Sequence, residues 1–187
     1  MVSTIDLSLV FKMAEKPEIV QLGAEILRQQ ARRVDDFDCS KFHHLIDDMQ
    51  ALMLESNGVG IAAPQLGASW QIVIIASRPT ARYPNAPDMA PLLMVNPECQ
   101  VLDASMHKDW EGCLSVPGIR ALVPRYQTVQ ISYQDRQGRA DQIVLRDFPA
   151  RVFQHEFDHL QGLVYLDRVE SNRDIISETE FFKKIAA

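Results

Sequence analysis

The chain has 187 residues, 47% of them hydrophobic and 24% charged, with 19 Lys plus Arg against 25 Asp plus Glu for a formal net charge of −6. That length suits one domain with a core of its own, and the composition excludes collagen-like, low-complexity and wholly disordered chains. An acidic average field repels a phosphate backbone and argues against free DNA as a partner. No apolar run approaches the roughly 20 residues of a membrane span. Three cysteines, at 39, 99 and 113, are too sparse for a disulfide framework and fit a reducing compartment. Met1 to Val20 has no basic region leading into an apolar core, so it does not read as a signal peptide, and a cytoplasmic protein is expected. Arg32-Arg33 is followed at once by Asp35 and Asp36, which reads as solvated surface.

Nothing divides the chain into parts, so residues 1–187 are expected to form a single catalytic domain with an irregular segment at 1–16. Ala24 to Arg33 could form a short helix. Ser40 suits the N-cap of a long helix, Lys41 to Ser56, because Phe42, Leu45, Ile46, Met49, Leu52 and Met53 share one face. His43 and His44 lie just off that stripe, without partners at ligand spacing. Asn57-Gly58 stops the helix. Gln71 to Ser77 holds a buried-strand run, and residues 78–91, with four prolines, read as a surface excursion. Leu92 to Val95 and Glu98 to Ala104 are short strand candidates broken by Asn96-Pro97. Tyr126 to Gln134 and Arg139 to Leu145 flank Asp135-Arg136-Gln137-Gly138 and predict a β-hairpin. Phe148 to Gln161 switches to a helical period closed by Gly162, and a last helix occupies 178–187 with Ser177 and Glu180 as a capping box. Helices and antiparallel strands in that order predict an α+β fold.

His155-Glu156-Phe157-Asp158-His159 carries the sharpest chemistry. Helical residues four apart differ by about 40° in azimuth and about 6 Å along the axis, so both imidazoles leave one face and can grip one cation. Glu156, beside the first imidazole, can serve as a general base. A catalytic site wants a third protein ligand and one open position. Downstream of His159 there is no His or Cys, which leaves Glu170, Glu178 or Glu180 as one source. Upstream, Cys113 stands in Trp110-Glu111-Gly112-Cys113-Leu114-Ser115-Val116-Pro117 and offers a thiolate instead. Cys39 and Cys99 lack such a setting and read as small packing residues. The Gly58-Val59-Gly60-Ile61-Ala62-Ala63-Pro64-Gln65-Leu66-Gly67 segment reads equally as a substrate loop or as a turn packed on the core. It is not a phosphate loop, since its glycine spacing is wrong and a Lys-Ser/Thr ending is absent.

Together and in this order, Gly58 to Gln65, Glu111 to Ser115 and Gln154 to His159 closely resemble the three motifs of the bacterial peptide deformylases. The resemblance continues through Val95-Asn96-Pro97, Arg120 to Arg125 and Leu160-Gln161-Gly162, and covers most of the chain from about residue 17. It implies a peptide-deformylase-like domain, compact, with antiparallel sheets around a central metal-binding helix. It implies hydrolysis of the N-formyl group from the initiator methionine of new polypeptides, releasing formate. Cys113, His155 and His159 would hold one divalent metal ion, Fe2+ in the cell, with Zn2+ or Ni2+ as substitutes. Glu156 would move the proton from water to the leaving amine. Gln65 and the backbone N–H of Leu114 would stabilise the oxyanion, and the backbone of Gly60 would hold substrate.

Around that set, Glu111 is placed to accept the other imidazole N–H of a ligand histidine, and Asp158 to pair with Arg120 or Arg125. Ser115 is assigned no chemistry. Val59, Phe148 and Val152 are candidates for the methionine pocket. Arg151 departs from members with an aliphatic residue there, which weakens any transfer of pocket detail. N-formylmethionyl nascent peptides are the expected partners, with the ribosome near its exit tunnel as a docking surface for the C-terminal helix with Lys183-Lys184. Two rivals share part of the pattern. A metallopeptidase of another type leaves Cys113 and Gln65 unexplained, and a non-catalytic protein with structural zinc leaves Glu156 idle.

Overall fold

The first helical period folds as α1, Ser40–Glu55. Phe42, Ile46, Met49 and Met53 are buried against Ile61, Ile72, Ile74 and Val95, while Leu45 and Leu52 flank them half-buried. Cys39, not Ser40, is the N-cap, and it makes no side-chain cap bond. Asn57 ends the helix with φ of 51°, a left-handed conformation that Asn tolerates better than most residues. The computed structural model describes residues 18–80 and 83–185, so the segment at 1–16 and the last two residues of the expected C-terminal helix lie outside the described residues.

The expected helix at Ala24–Arg33 is instead one 3-10 turn, Glu25–Arg28, followed by extended chain. Backbone partners elsewhere take those residues: Ala31 N–H donates to Leu160 O at 2.9 Å, and Arg32 bridges to Trp70. Non-local pairing outweighs a weak local propensity here.

The strands are β1 (Gly60–Ala62), β2 (Ile72–Ser77), β3 (Met89–Cys113), β4 (Val116–Gln134), β5 (Ala140–Arg146) and β6 (Ile175–Ser177). They form one antiparallel sheet in the order β1-β2-β3-β4-β5, with β6 paired to β4. Asn96-Pro97 does not break β3, contrary to the sequence reading. The register shifts between Val95 and Glu98, which absorbs the proline as a bulge. Asn96, at φ 50°, pins that bulge: its amide exchanges two 2.8 Å bonds with the Val34 backbone and donates to Gln134 Oε1 at 2.8 Å. The predicted β4–β5 hairpin forms, and β4 itself begins ten residues before Tyr126.

Helix α2, Asp147–Leu160, lies across β1, β2 and β4. Phe153 is fully buried among Val73, Ile75, Met94, Val129, Ile131 and Leu145, which explains why this amphipathic helix sits at the centre of the domain. Gly162, at φ 74°, follows it as predicted; a Cβ there would come within 2.8 Å of the Arg28 backbone. The last helix, α3 (Glu178–Ile185), realises half of the capping box, with Glu180 N–H donating to Ser177 Oγ at 3.2 Å. Phe181 is buried against Trp110, whereas Phe182 and Ile185 stay exposed. Among the described residues no helix is long and apolar enough to cross a membrane.

Candidate metal centre

His155 and His159 stand one turn apart on the buried face of α2, with ring centroids 5.4 Å apart. Cys113 is the last residue of β3, at the tight connection into β4, and that turn brings its sulfur to the helix. One ligand atom from each of the three falls within 4.8 Å of the others. Cys113 Sγ and His159 Nε2 are 3.3 Å apart. Tetrahedral bonds of about 2.3 Å to sulfur and 2.0–2.1 Å to nitrogen put two such ligands roughly 3.5 Å apart, so the donor set fits a divalent ion. The glutamates left open by the sequence are engaged elsewhere: Glu170 with Lys108, Glu178 with Arg120 and Glu180 with Lys183.

Charges fix this geometry. Glu111 is buried and accepts from His155 Nδ1 at 2.9 Å, which leaves Nε2 of that ring for the cluster. The same carboxylate takes a fork from Arg125 (2.9 and 3.0 Å) and a third bond from Arg151 Nη1 at 2.8 Å. Burial pushes the Glu111 carboxyl up, but the Arg125 guanidinium and the His155 ring outweigh it and hold it well below the ordinary range. Arg125 reaches on to Asp158 at 2.6 Å, and Asp158 also takes Arg168. Of the two arginines expected for Asp158, Arg125 is the partner; Arg120 goes to Glu178 and to Tyr83 Oη. Burial likewise opposes ionisation of Cys113, yet the two imidazoles prevail and draw its thiol well below the usual value. The Ser115 N–H lies 3.4 Å from that sulfur and supports the thiolate.

Glu156 points toward β1. Its Oε2 is buried with no partner among the described residues, and burial pushes its carboxyl up to about 7. Gly60 makes room for it: a Cβ there would fall 2.3 Å from Glu156 Oε1. Gln65 sits in the 3-10 turn Ala63–Leu66, where its Oε1 accepts from Ala62 N–H at 2.9 Å. Its amide nitrogen therefore faces inward, 3.2 Å from Ser115 Oγ and 3.5 Å from Cys113 Sγ. Leu114 follows the cysteine and borders the same cleft. That cleft encloses about 190 Å³, and Val59, Phe148 and Val152 are among the residues that line it.

Of two further wall residues, the sequence holds no sign of Tyr83 and offers Arg120 only as a partner for Asp158. Tyr83, from the proline-rich excursion, packs against Phe148 with the rings tilted by 50° and 4.8 Å between centroids, and accepts from Arg120 at 3.3 Å. Arg120 lies over Gly112, where a Cβ would sit 2.5 Å from the guanidinium carbon; a glycine eight residues before an arginine on paired strands was the only signal available. Cys39 and Cys99 pack at the rims of the two main cores, outside the cluster, and burial raises the Cys99 thiol to about 11.

A family model described as Polypeptide deformylase matches residues 16–174. Peptide deformylase 2 of Nostoc sp. is 50% identical over 163 residues, which cover 87% of this chain and 91% of the relative. Peptide deformylase 2 of Shewanella oneidensis is 48% identical over 150 residues, 80% of this chain and 82% of that one. Among solved structures, a Met-Ala-Ser-bound class I type b peptide deformylase from Acinetobacter baumannii superposes with a TM-score of 0.78 at 43% identity. It covers 81% of this chain and 96% of its own. A plant peptide deformylase gives 0.75 at 32% identity, covering 88% and 85%.

Proposed function

The chain belongs to the polypeptide deformylase family, and from that premise we propose how its own residues divide the work of a metal-dependent hydrolase. The reaction is hydrolysis of the N-formyl group of the initiator methionine on new polypeptides, releasing formate. Cys113, His155 and His159 are the metal ligands, and Glu111 orients His155 through Nδ1. A bound divalent cation supplies Lewis acidity, which makes water a competent nucleophile near neutral pH.

Glu156 is the general base. Its carboxylate takes the proton from the attacking water and delivers it to the amine as the C–N bond breaks, so one group serves both transfers. Gln65 Nε2–H and the backbone N–H of Leu114 donate to the formyl oxygen as it gains charge, each contributing a factor of about 10²–10³. The backbone of Gly60 aligns the peptide along β1, and Val59, Phe148 and Val152 enclose the methionine side chain. The observation that carries this reading is a buried carboxylate with a partnerless oxygen beside three soft and borderline donors within 4.8 Å of one another.

The metal in the cell is Fe2+, with Zn2+ or Ni2+ able to replace it, because a thiolate with two imidazoles suits all three. The enzyme works in the cytoplasm, where nascent chains emerge from the ribosome. Lys183 and Lys184 on α3 support docking near the exit tunnel. Formate release from formyl-Met-Ala-Ser, with metal content measured in parallel, tests the reading. We expect turnover that rises in proportion to bound metal. Absence of turnover by metal-replete protein at micromolar concentration refutes it.

A further inference from the structure

Next to the cleft lies a second open space of about 330 Å³, lined by His107, Asp109, Arg125 and Tyr126 among others. The two spaces share only Phe148 and Arg151 as lining residues. Resting on the deformylase reading above, we propose that Arg151 is a specificity-determining partition. It closes the side-chain pocket at the length of methionine although open space continues behind it.

The bonding of Arg151 makes it a wall rather than a swinging gate. It sits one turn before His155 on the same face of α2, and its side chain is 8% exposed. Nη1 donates to Glu111 Oε1 and to Val123 O, both at 2.8 Å, while Nη2 donates to His107 O at 2.6 Å. A guanidinium fixed to β3, β4 and a buried carboxylate has lost the rotamer freedom that lets exposed arginines yield. Phe148, the other shared residue, is braced by Tyr83. Glu111 offsets the charge of Arg151, so the partition acts by occupying space and not by repelling an apolar side chain. A residue too short to reach β3 would leave the two cavities continuous.

The test compares Arg151→Ala with Arg151→Met in metal-loaded enzyme. Both remove the third bond to Glu111 and disturb the support of His155 alike; only alanine opens the wall. The substrates are formyl-Met-Ala-Ser and the same tripeptide with the thioether lengthened by two methylenes, an S-propyl in place of the S-methyl. The readout is the ratio of kcat/KM for the long substrate to that for the methionine one. Two buried methylenes are worth about tenfold. We expect Arg151→Ala to raise the ratio by about that factor over Arg151→Met, and Arg151→Met to stay within about threefold of wild type. Affinities of the two unformylated products, measured by calorimetry, should follow the same order without any turnover. Equal ratios in the two variants overturn the proposal. So does a wild-type enzyme that accepts the long substrate as well as methionine, a result that needs no variant to fold. Failure of wild type on formyl-Met-Ala-Ser itself would instead remove the deformylase reading, and this proposal with it.

Discussion

Gly60→Ala isolates the position of Glu156 from its chemistry. The substitution leaves every ionisable group in place and adds one methyl where the carboxylate lies. That Cβ would stand 2.3 Å from Glu156 Oε1, 2.8 Å from Cδ and 2.9 Å from Cγ. Ordinary contacts begin near 3.4 Å, so the oxygen must retreat by about 1 Å and the rest of the group by about half that. A misplacement of 1 Å typically costs about 10² in rate. Stability should hardly change. Gly60 is not among the positive-φ glycines, so alanine fits the strand and removes about 0.4–1 kcal/mol of unfolded-chain freedom. Against that stands roughly 0.5–1.5 kcal/mol for holding Glu156 off its rotamer. The two nearly cancel, and Tm should move by no more than about 4 °C. The assay is kcat for formate release at matched metal content, beside a thermal melt. We expect a drop in kcat of about a hundredfold with little change in KM, because the Gly60 backbone remains. A kcat within threefold of wild type at equal metal content refutes the argument that the location of Glu156 limits the rate.

Glu156→Ala should retain the metal and lower kcat by about 10²–10⁴, the range of general acid–base catalysis; loss of metal in that variant would assign Glu156 a structural role instead. Glu111→Gln should weaken metal affinity about 10–100-fold, as read by competition with a chelator, because it takes the carboxylate partner from Arg151, weakens the Arg125 fork and loosens the grip on His155 Nδ1. Unchanged affinity would show that His155 is held by the helix alone. Phe153→Ala, at a fully buried site two residues before His155, should cost about 3–5 kcal/mol in denaturant unfolding, and a loss below 1 kcal/mol would contradict the packing described.

The helix bearing the histidines was legible because both its apolar period and its ligand spacing are local. So was the hairpin after Gln134, where a glycine at φ 77° closes the turn. Cys113 could be narrowed only to one of several third ligands, since nothing in its own neighbourhood says that β3 ends against α2. The extent of β3 was hidden for a related reason. Residues 100–109 are exposed along their length, so no buried face marks how far the strand runs, and their ladder partners on β4 lie up to 30 residues away, as Gln100 pairs with Gln130. The Asn96-Pro97 break became a bulge because Val34 and Gln134, distant in sequence, supply its hydrogen bonds. Tyr83 went unseen, and Arg120 was assigned to Asp158 instead of the cleft wall, because placement among prolines and across a glycine leaves no periodic signature.

The turn that carries Cys113 to α2 also joins the sheet to the helix at positions far apart in the chain. Cys113 and His159 are separated by 46 residues, Gln65 and Cys113 by 48, and Glu111 and His155 by 44. Each of these pairs forms only when segments distant in the chain have docked, so α2 alone carries two of the ligands, His155 and His159, and lacks the third. A cation gripped there acts as a clasp on the finished tertiary structure and has no comparable hold on the unfolded one. Mass action then ties folding to supply: free metal at a hundred times its dissociation constant adds about 2.7 kcal/mol. A cell that withholds the ion would lose the resilience of this protein together with its activity, and a melt recorded with and without metal should report both from one sample.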